Sequence, residues 1–289
     1  LQSLIRMTWI TEVCAEMVPC YFFIFSALCL WGVNSKNALL IIDVQDCFLK
    51  GGNLAVPGGN DIIPVINSIR NDYKNSLDLV VFSQDWHCSD HVSFASQHTG
   101  YQPGELCYGE AVGSEFVYAV NCSTVSTHVI QTLWPDHCIK NISQGPTSSK
   151  LDPGLIREDA DVIIYKGQKC GIDAYSAFYD NAKITQTRLN SVLKDNEITR
   201  VFITGMASDF CVYYTALDAK TLGYETFVVK DAARGVANES IAAAARDMTT
   251  KGKYTKKQIL ICVGLPKMKG YVPLACYRSA QHRRLWRGR

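Results

Sequence analysis

Four stretches of this 289-residue chain hold side chains whose types suit catalysis. Asp43 closes the apolar run Ile41-Ile42-Asp43, where a half-buried carboxylate loses solvation and gains the raised pKa that proton transfer requires. Lys166 follows a second apolar run, Ile163-Ile164-Tyr165-Lys166. A desolvated ammonium there needs an acidic partner, and Asp43 is the candidate if the two strands are neighbours. Cys211 ends the small-residue loop Gly205-Met-Ala-Ser-Asp-Phe-Cys211, and a helical pattern begins at about the cysteine. The unpaired N–H groups and partial positive charge of a helix N-terminus favour a thiolate and a nearby oxyanion. The fourth stretch, Asp85-Trp-His87-Cys-Ser-Asp-His91, joins a distant Trp134-Pro-Asp-His137 in offering an oxygen and imidazole nitrogens to a divalent ion.

Each group has a plainer reading when taken alone. Asp43 can cap a turn, Lys166 can be a solvated strand end, and an isolated cysteine is more often a small buried hydrophobe. Asp85, His87, His91 and His137 read equally well as a capping acid and surface histidines. What favours chemistry is that Asp43, Lys166 and Cys211 fall at one edge of the sheet that the remaining sequence predicts.

That sheet comes from six short runs rich in Val and Ile, at 38–44, 77–83, 161–165, 200–204, 225–229 and 258–263. Helical spacing lies between them: Ile62, Ile66, Ile69 and Tyr73 behind an Asn60 cap, then Leu189 to Leu193, Val212 to Leu222, and Ser240 to Thr249. Right-handed crossovers give an α/β fold with a six-stranded, mainly parallel sheet covered by helices on both faces. Ligands of such sheets bind beyond the carboxyl ends of the strands, where all four stretches fall. Residues 100–133 lack a strong period and read as an insertion or lid.

These blocks together resemble the nicotinamidases of the isochorismatase-like cysteine hydrolase superfamily. The similarity runs from about Asn37 to Val263 and includes Asp43-Val-Gln-Asp-Cys-Phe48, Ser83-Gln-Asp-Trp-His87, Leu133-Trp-Pro-Asp-His-Cys138, Tyr165-Lys-Gly167, Asp173-Ala-Tyr-Ser-Ala-Phe178, the cysteine loop and Asp231-Ala-Ala-Arg-Gly235. The resemblance implies a catalytic triad of Asp43, Lys166 and Cys211, and an oxyanion hole from the Ala207 and Cys211 N–H groups beside a cis Met206–Ala207 peptide. It implies aromatic substrate contacts from Phe48, Trp134 and Tyr175. One divalent metal would be held by Asp85, His87 and His137, with His91 just outside the ligand set; zinc is favoured, and iron and manganese suit the same donors. The implied reaction is hydrolysis of nicotinamide to nicotinate and ammonia, a step of NAD salvage. Competing readings are a related amidase for another small carboxamide and a ligand-binding relative without turnover. One departure stands beside the site: Asp46 and Cys47 replace the usual amide and acid.

The remaining features bound the rest of the protein. A hydrophobic content of 47% with 19% charged residues excludes a disordered chain and supports one large core. Residues 37–264 form the expected hydrolase domain. Residues 1–36 contain Val18–Val33, an uncharged stretch short for a membrane span but suited to a signal-peptide core or anchor. With the sequons at Asn121, Asn141 and Asn238, it favours a secreted or membrane-associated protein over a cytosolic one. Residues 265–289 carry seven basic residues and no acid, and read as a solvated, disordered tail rather than a nucleic-acid site. The twelve cysteines include no CxxC pair, which leaves reduced thiols and a few disulfides both open, as is homo-oligomerisation.

Overall fold

The computed structural model describes residues 35–112, 115–117, 129–250, 260–262 and 276–277. The hydrophobic segment before Ser35 and most of the basic tail lie outside these residues, as do parts of the insertion. Among the described residues, no helix is long and apolar enough to cross a membrane.

The main sheet has seven strands in the order β10-β9-β8-β7-β1-β2-β6. These are β1 (Lys36–Ile42), β2 (Leu79–Asp85), β6 (Val162–Lys166), β7 (Ile198–Met206), β8 (Glu225–Arg234), β9 (Leu260–Cys262) and β10 (Cys276–Tyr277). Six are the expected parallel strands. The seventh, β10, pairs antiparallel with β9 from within the segment read as a tail. Two residues without a run of branched apolar neighbours give no strand signal in sequence.

β1 shows why the sheet is covered twice. Ala38, Leu40 and Ile42 pack into one hydrophobic cluster, and Leu39 and Ile41 into another on the opposite face. Side chains of a strand alternate, so a run apolar at every position needs cover on both sides. Helix α1 (Ile62–Asp72) covers the second face through Ile62, Ile66 and Ile69. Helices α2 (Leu189–Asp195), α3 (Cys211–Thr221) and α4 (Asn238–Thr250) contribute Leu189, Leu193, Val212, Ala216 and Met248 to the first. Asn60 does not cap α1: the cap position is Asp61, without a side-chain cap, and the Asn60 side-chain Oδ1 accepts instead from the Lys50 N–H at 3.0 Å.

The insertion is not structureless. Its described residues form a small antiparallel sheet in the order β4-β3-β5, from Leu106–Val112, Glu115–Val117 and Val129–Thr132. Short antiparallel pairs need neither long apolar runs nor strict alternation, which hid them from a periodicity reading.

Candidate active site

The order β7-β1-β2-β6 brings four parallel strand ends to one edge. Asp43 follows β1, Asp85 ends β2, Lys166 ends β6, and Cys211 opens α3 after β7. The strands of Asp43 and Lys166 are therefore not neighbours, because β2 runs between them. The lysine side chain spans that gap. Its Nζ lies 2.9 Å from Asp43 Oδ2, 2.5 Å from Asp85 Oδ1 and 3.4 Å from Cys211 Sγ, and it donates to the Ala174 carbonyl at 2.9 Å. Ligand atoms of Asp43, Asp85 and Cys211 all fall within 4.8 Å of one another.

The backbone around this group is unusual in ways that aim it. Asp43 has φ of 50°, a left-handed conformation that side chains other than glycine adopt at a cost of about 1–3 kcal/mol. Its carboxylate is fixed by the Ser83 hydroxyl, which donates to Oδ1 at 2.7 Å. Gly205 has φ of 109°, and a Cβ there would stand 2.0 Å from the Ile42 carbonyl oxygen, so only glycine lets β7 approach β1 so closely. The Met206–Ala207 peptide that follows is cis.

Burial sets the protonation of the group. Loss of solvent raises the Asp43 carboxyl to about 6, although Lys166 pulls the other way. Burial works against the charged Lys166 too, but Asp43, Asp85 and Cys211 outweigh it and hold the ammonium. Cys211 is shifted as well. Burial pushes its thiol well above the ordinary range, with Lys166 opposing, so the resting side chain is a thiol and must lose its proton during attack.

Asp85 also faces outward to the histidines. Its Oδ2 lies 3.5 Å from His87 Nε2 and 3.9 Å from His137 Nε2. His87 Nδ1 meets the Gly167 carbonyl at 3.0 Å and His137 Nδ1 the Pro135 carbonyl at 2.7 Å. Carbonyls only accept, so each Nδ1 carries the hydrogen and each Nε2 keeps its lone pair. Gly167 permits the first of these contacts, since a Cβ there would stand 2.4 Å from the His87 ring. Donor atoms about 2.1 Å from a tetrahedral ion lie about 3.4 Å apart, close to the separations seen here. The residues fit a divalent cation, and His87 Nε2 is buried without a hydrogen-bond partner that would otherwise use its lone pair. His91 clusters with His87 and Asp173 instead. Its Nδ1 lies 2.7 Å from the Ser93 hydroxyl, which turns the ring toward Ser93 and sets it apart from the Asp85, His87 and His137 group.

Between the two groups opens a small cleft whose walls include Phe48, Trp134, Tyr175 and Phe210, with Asp85, His137, Ala207 and Cys211 at its polar points. The Trp134 indole donates to the Tyr175 hydroxyl at 3.3 Å. Phe210 stands edge-on to Trp134 with centroids 4.9 Å apart. Flat apolar walls with a few convergent polar groups suit a small planar ligand.

Every site residue named from sequence thus borders one region: the triad at one end, Asp85, His87 and His137 at the other, and Phe48, Trp134, Tyr175 and Ala207 on the cleft between. Four contributors escaped that reading. Ser83 and Phe210 sit within quoted motifs but carry no chemical signal of their own. Asp173 is buried at the cleft wall, and Gln131 of the insertion strand β5 donates to it at 3.0 Å. The double duty of Asp85 was also missed, because sequence spacing gave no sign that β2 separates β1 from β6.

Comparison with known proteins agrees with this geometry. Residues 37–257 match the Isochorismatase domain. A nicotinamidase of Acinetobacter baylyi is 38% identical over 230 residues, covering 78% of this chain and 94% of the relative. Among solved structures, an Acinetobacter baumanii nicotinamidase and pyrazinamidase superposes with a TM-score of 0.64 at 37% identity, covering 75% of this chain and 94% of that one. The pyrazinamidase of Pyrococcus horikoshii, in complex with zinc, gives a TM-score of 0.58 at 28% identity, covering 79% and 99%. The chain therefore belongs to the isochorismatase family, and to the nicotinamidases within it.

Proposed function

We propose that this chain is an amidohydrolase that converts nicotinamide and water to nicotinate and ammonia through a thioester on Cys211. The observation that carries the reading is Lys166 Nζ lying 2.9 Å from Asp43 and 3.4 Å from Cys211 at the end of an aromatic-walled cleft. The nicotinamidase relatives supply the substrate.

Asp43, ionised above about pH 6, takes the Cys211 proton as the sulfur attacks the carboxamide carbon. The Ala207 and Cys211 N–H groups receive the developing oxyanion. Asp43 returns the proton to nitrogen, the C–N bond breaks, and ammonia leaves. A water, deprotonated by Asp43, then adds to the thioester carbon; the C–S bond breaks as Asp43 returns that proton to the Cys211 sulfur, and the released acid ionises to nicotinate. Lys166 stays charged throughout and holds Asp43 in place. Phe48, Trp134 and Tyr175 sandwich the ring.

Asp85, His87 and His137 would hold one divalent cation, for which zinc ranks ahead of iron and manganese on the strength of the zinc-bound relative. When bound, such an ion supplies a Lewis acid for a pyridine nitrogen and so fixes the ring's orientation. Ammonia release from nicotinamide by the purified full chain, with and without a chelator, tests the reading. Release that a chelator suppresses is expected, whereas no release with the cation supplied would contradict it. Running pyrazinamide alongside sets the selectivity.

A further inference from the structure

Two histidines of the cation cluster are each followed directly by a bridged cysteine. Cys88, next to His87, pairs with Cys170, and Cys138, next to His137, pairs with Cys47; both pairs have Cα atoms 5.4 Å apart, in the usual range for a cystine. The first bridge ties the loop after β2 to the loop after β6. Those loops already cooperate, since His87 donates to Gly167 at 3.0 Å and the Val92 N–H donates to the Cys170 carbonyl at 2.8 Å. The second bridge ties the segment of Phe48 to that of His137, whose rings stand 5.4 Å apart. The bridged segments also meet each other, through His87 N–H to the Cys138 carbonyl at 3.1 Å and Lys140 N–H to the His87 carbonyl at 2.8 Å. Two cystines, the cation cluster and one aromatic wall thus form a single cross-linked unit.

The triad is carried by strand ends and a helix start, whose backbone pairing positions it. The histidines sit on loops. His87, His91 and His137 are buried together, and the Nε2 atoms of His87 and His91 lack hydrogen-bond partners. Buried imidazole nitrogens left without a hydrogen bond favour an opened loop unless something holds them. We propose that the two cystines are positioning groups for this site: they hold the histidine loops and the Phe48 wall closed, so that the oxidised chain is the form with high affinity for a divalent cation and for substrate. Cys211, unbridged, stays free to react. Because disulfides persist in oxidising surroundings, the competent form belongs to such a compartment. The inference rests on the proposed cation site and deepens it.

Reduction supplies the test. Tris(2-carboxyethyl)phosphine takes up one oxygen from water and delivers two electrons and two protons to each cystine, giving two thiols and a phosphine oxide. The full chain, oxidised and reduced, and the paired variants Cys88→Ser with Cys170→Ser and Cys47→Ser with Cys138→Ser, are titrated with Co²⁺ by its visible absorption. Far-ultraviolet circular dichroism and nicotinamide kinetics are recorded on the same samples. In the serine pairs, which offer no new thiol ligand, Co²⁺ affinity is expected to fall by about tenfold or more. KM should rise more than kcat falls, circular dichroism should be kept, and the pair lacking the first bridge should respond to phosphine only through the second. Unchanged Co²⁺ affinity and KM in reduced protein and variants would overturn the proposal. So would loss of affinity only together with the whole dichroism signal, which would make the bridges general staples. If the oxidised protein binds Co²⁺ but releases no ammonia, the activity reading fails while the Co²⁺ comparison still decides the bridges.

Discussion

Asp43, Lys166 and Cys211 project from two strand ends and a helix start, whereas His87 and His137 ride on loops joined by two disulfides. Asp85 belongs to both regions, since one carboxylate oxygen faces Lys166 and the other faces the histidines. The difference teaches how a site divides its needs. Bond making requires three atoms fixed to within a fraction of an ångström, which sheet register provides. Cation holding tolerates loops once these are cross-linked. The two regions should therefore fail differently when damaged.

Cys211→Ala should cost the most, about 10⁴-fold or more in kcat for ammonia release, with Co²⁺ affinity unchanged. Equal loss of cation affinity would mean the regions are not separable. Asp43→Asn removes the proton acceptor and should lower kcat by about 10²- to 10⁴-fold, again with the cation site intact. His137→Ala should invert the pattern. Cation affinity should fall by at least about tenfold and KM rise, while stoichiometric alkylation of the Cys211 thiol by iodoacetamide persists. A variant at His137 that lost kcat alone would erase the proposed division.

Smaller effects lie in pH. Burial raises the Asp43 carboxyl to about 6, above its value in an unfolded chain, and the ionised form is the one that accepts the thiol proton. The rate constant kcat/KM should therefore climb with pH through about 6 and level off above it, losing tenfold per unit on the acid side. The Ser83 hydroxyl stabilises the ionised form, so Ser83→Ala should move this limb to higher pH. A limb unmoved by Ser83→Ala would assign the titration to another group.

The same division explains what the sequence disclosed. Runs such as Ala38–Val44, apolar at nearly every position, fix parallel strands buried on both faces, and a reactive side chain at the end of each run is legible as a site residue. Strand order is not written locally: nothing near Asp43 or Lys166 announces that β2 separates them, and so the bridging position of Asp85 came only with coordinates. The loop residues were legible only as members of a family pattern, because spacing across an insertion constrains no distance. Cys47 looked like a weakened motif and proved to be half of a cystine with Cys138. Pairing of distant cysteines cannot be deduced from their positions in the chain. Gln131 was hidden for a similar reason, since its strand belongs to an antiparallel sheet without an apolar run.

The account depends on an acyl group carried by Cys211, and hydroxylamine partitioning reads that species directly. With nicotinamide as substrate and hydroxylamine added, a thioester is captured as the hydroxamic acid at the expense of nicotinate while ammonia release continues. The account predicts hydroxamate in proportion to the added nucleophile. Nicotinate as the sole product at every hydroxylamine concentration would contradict it.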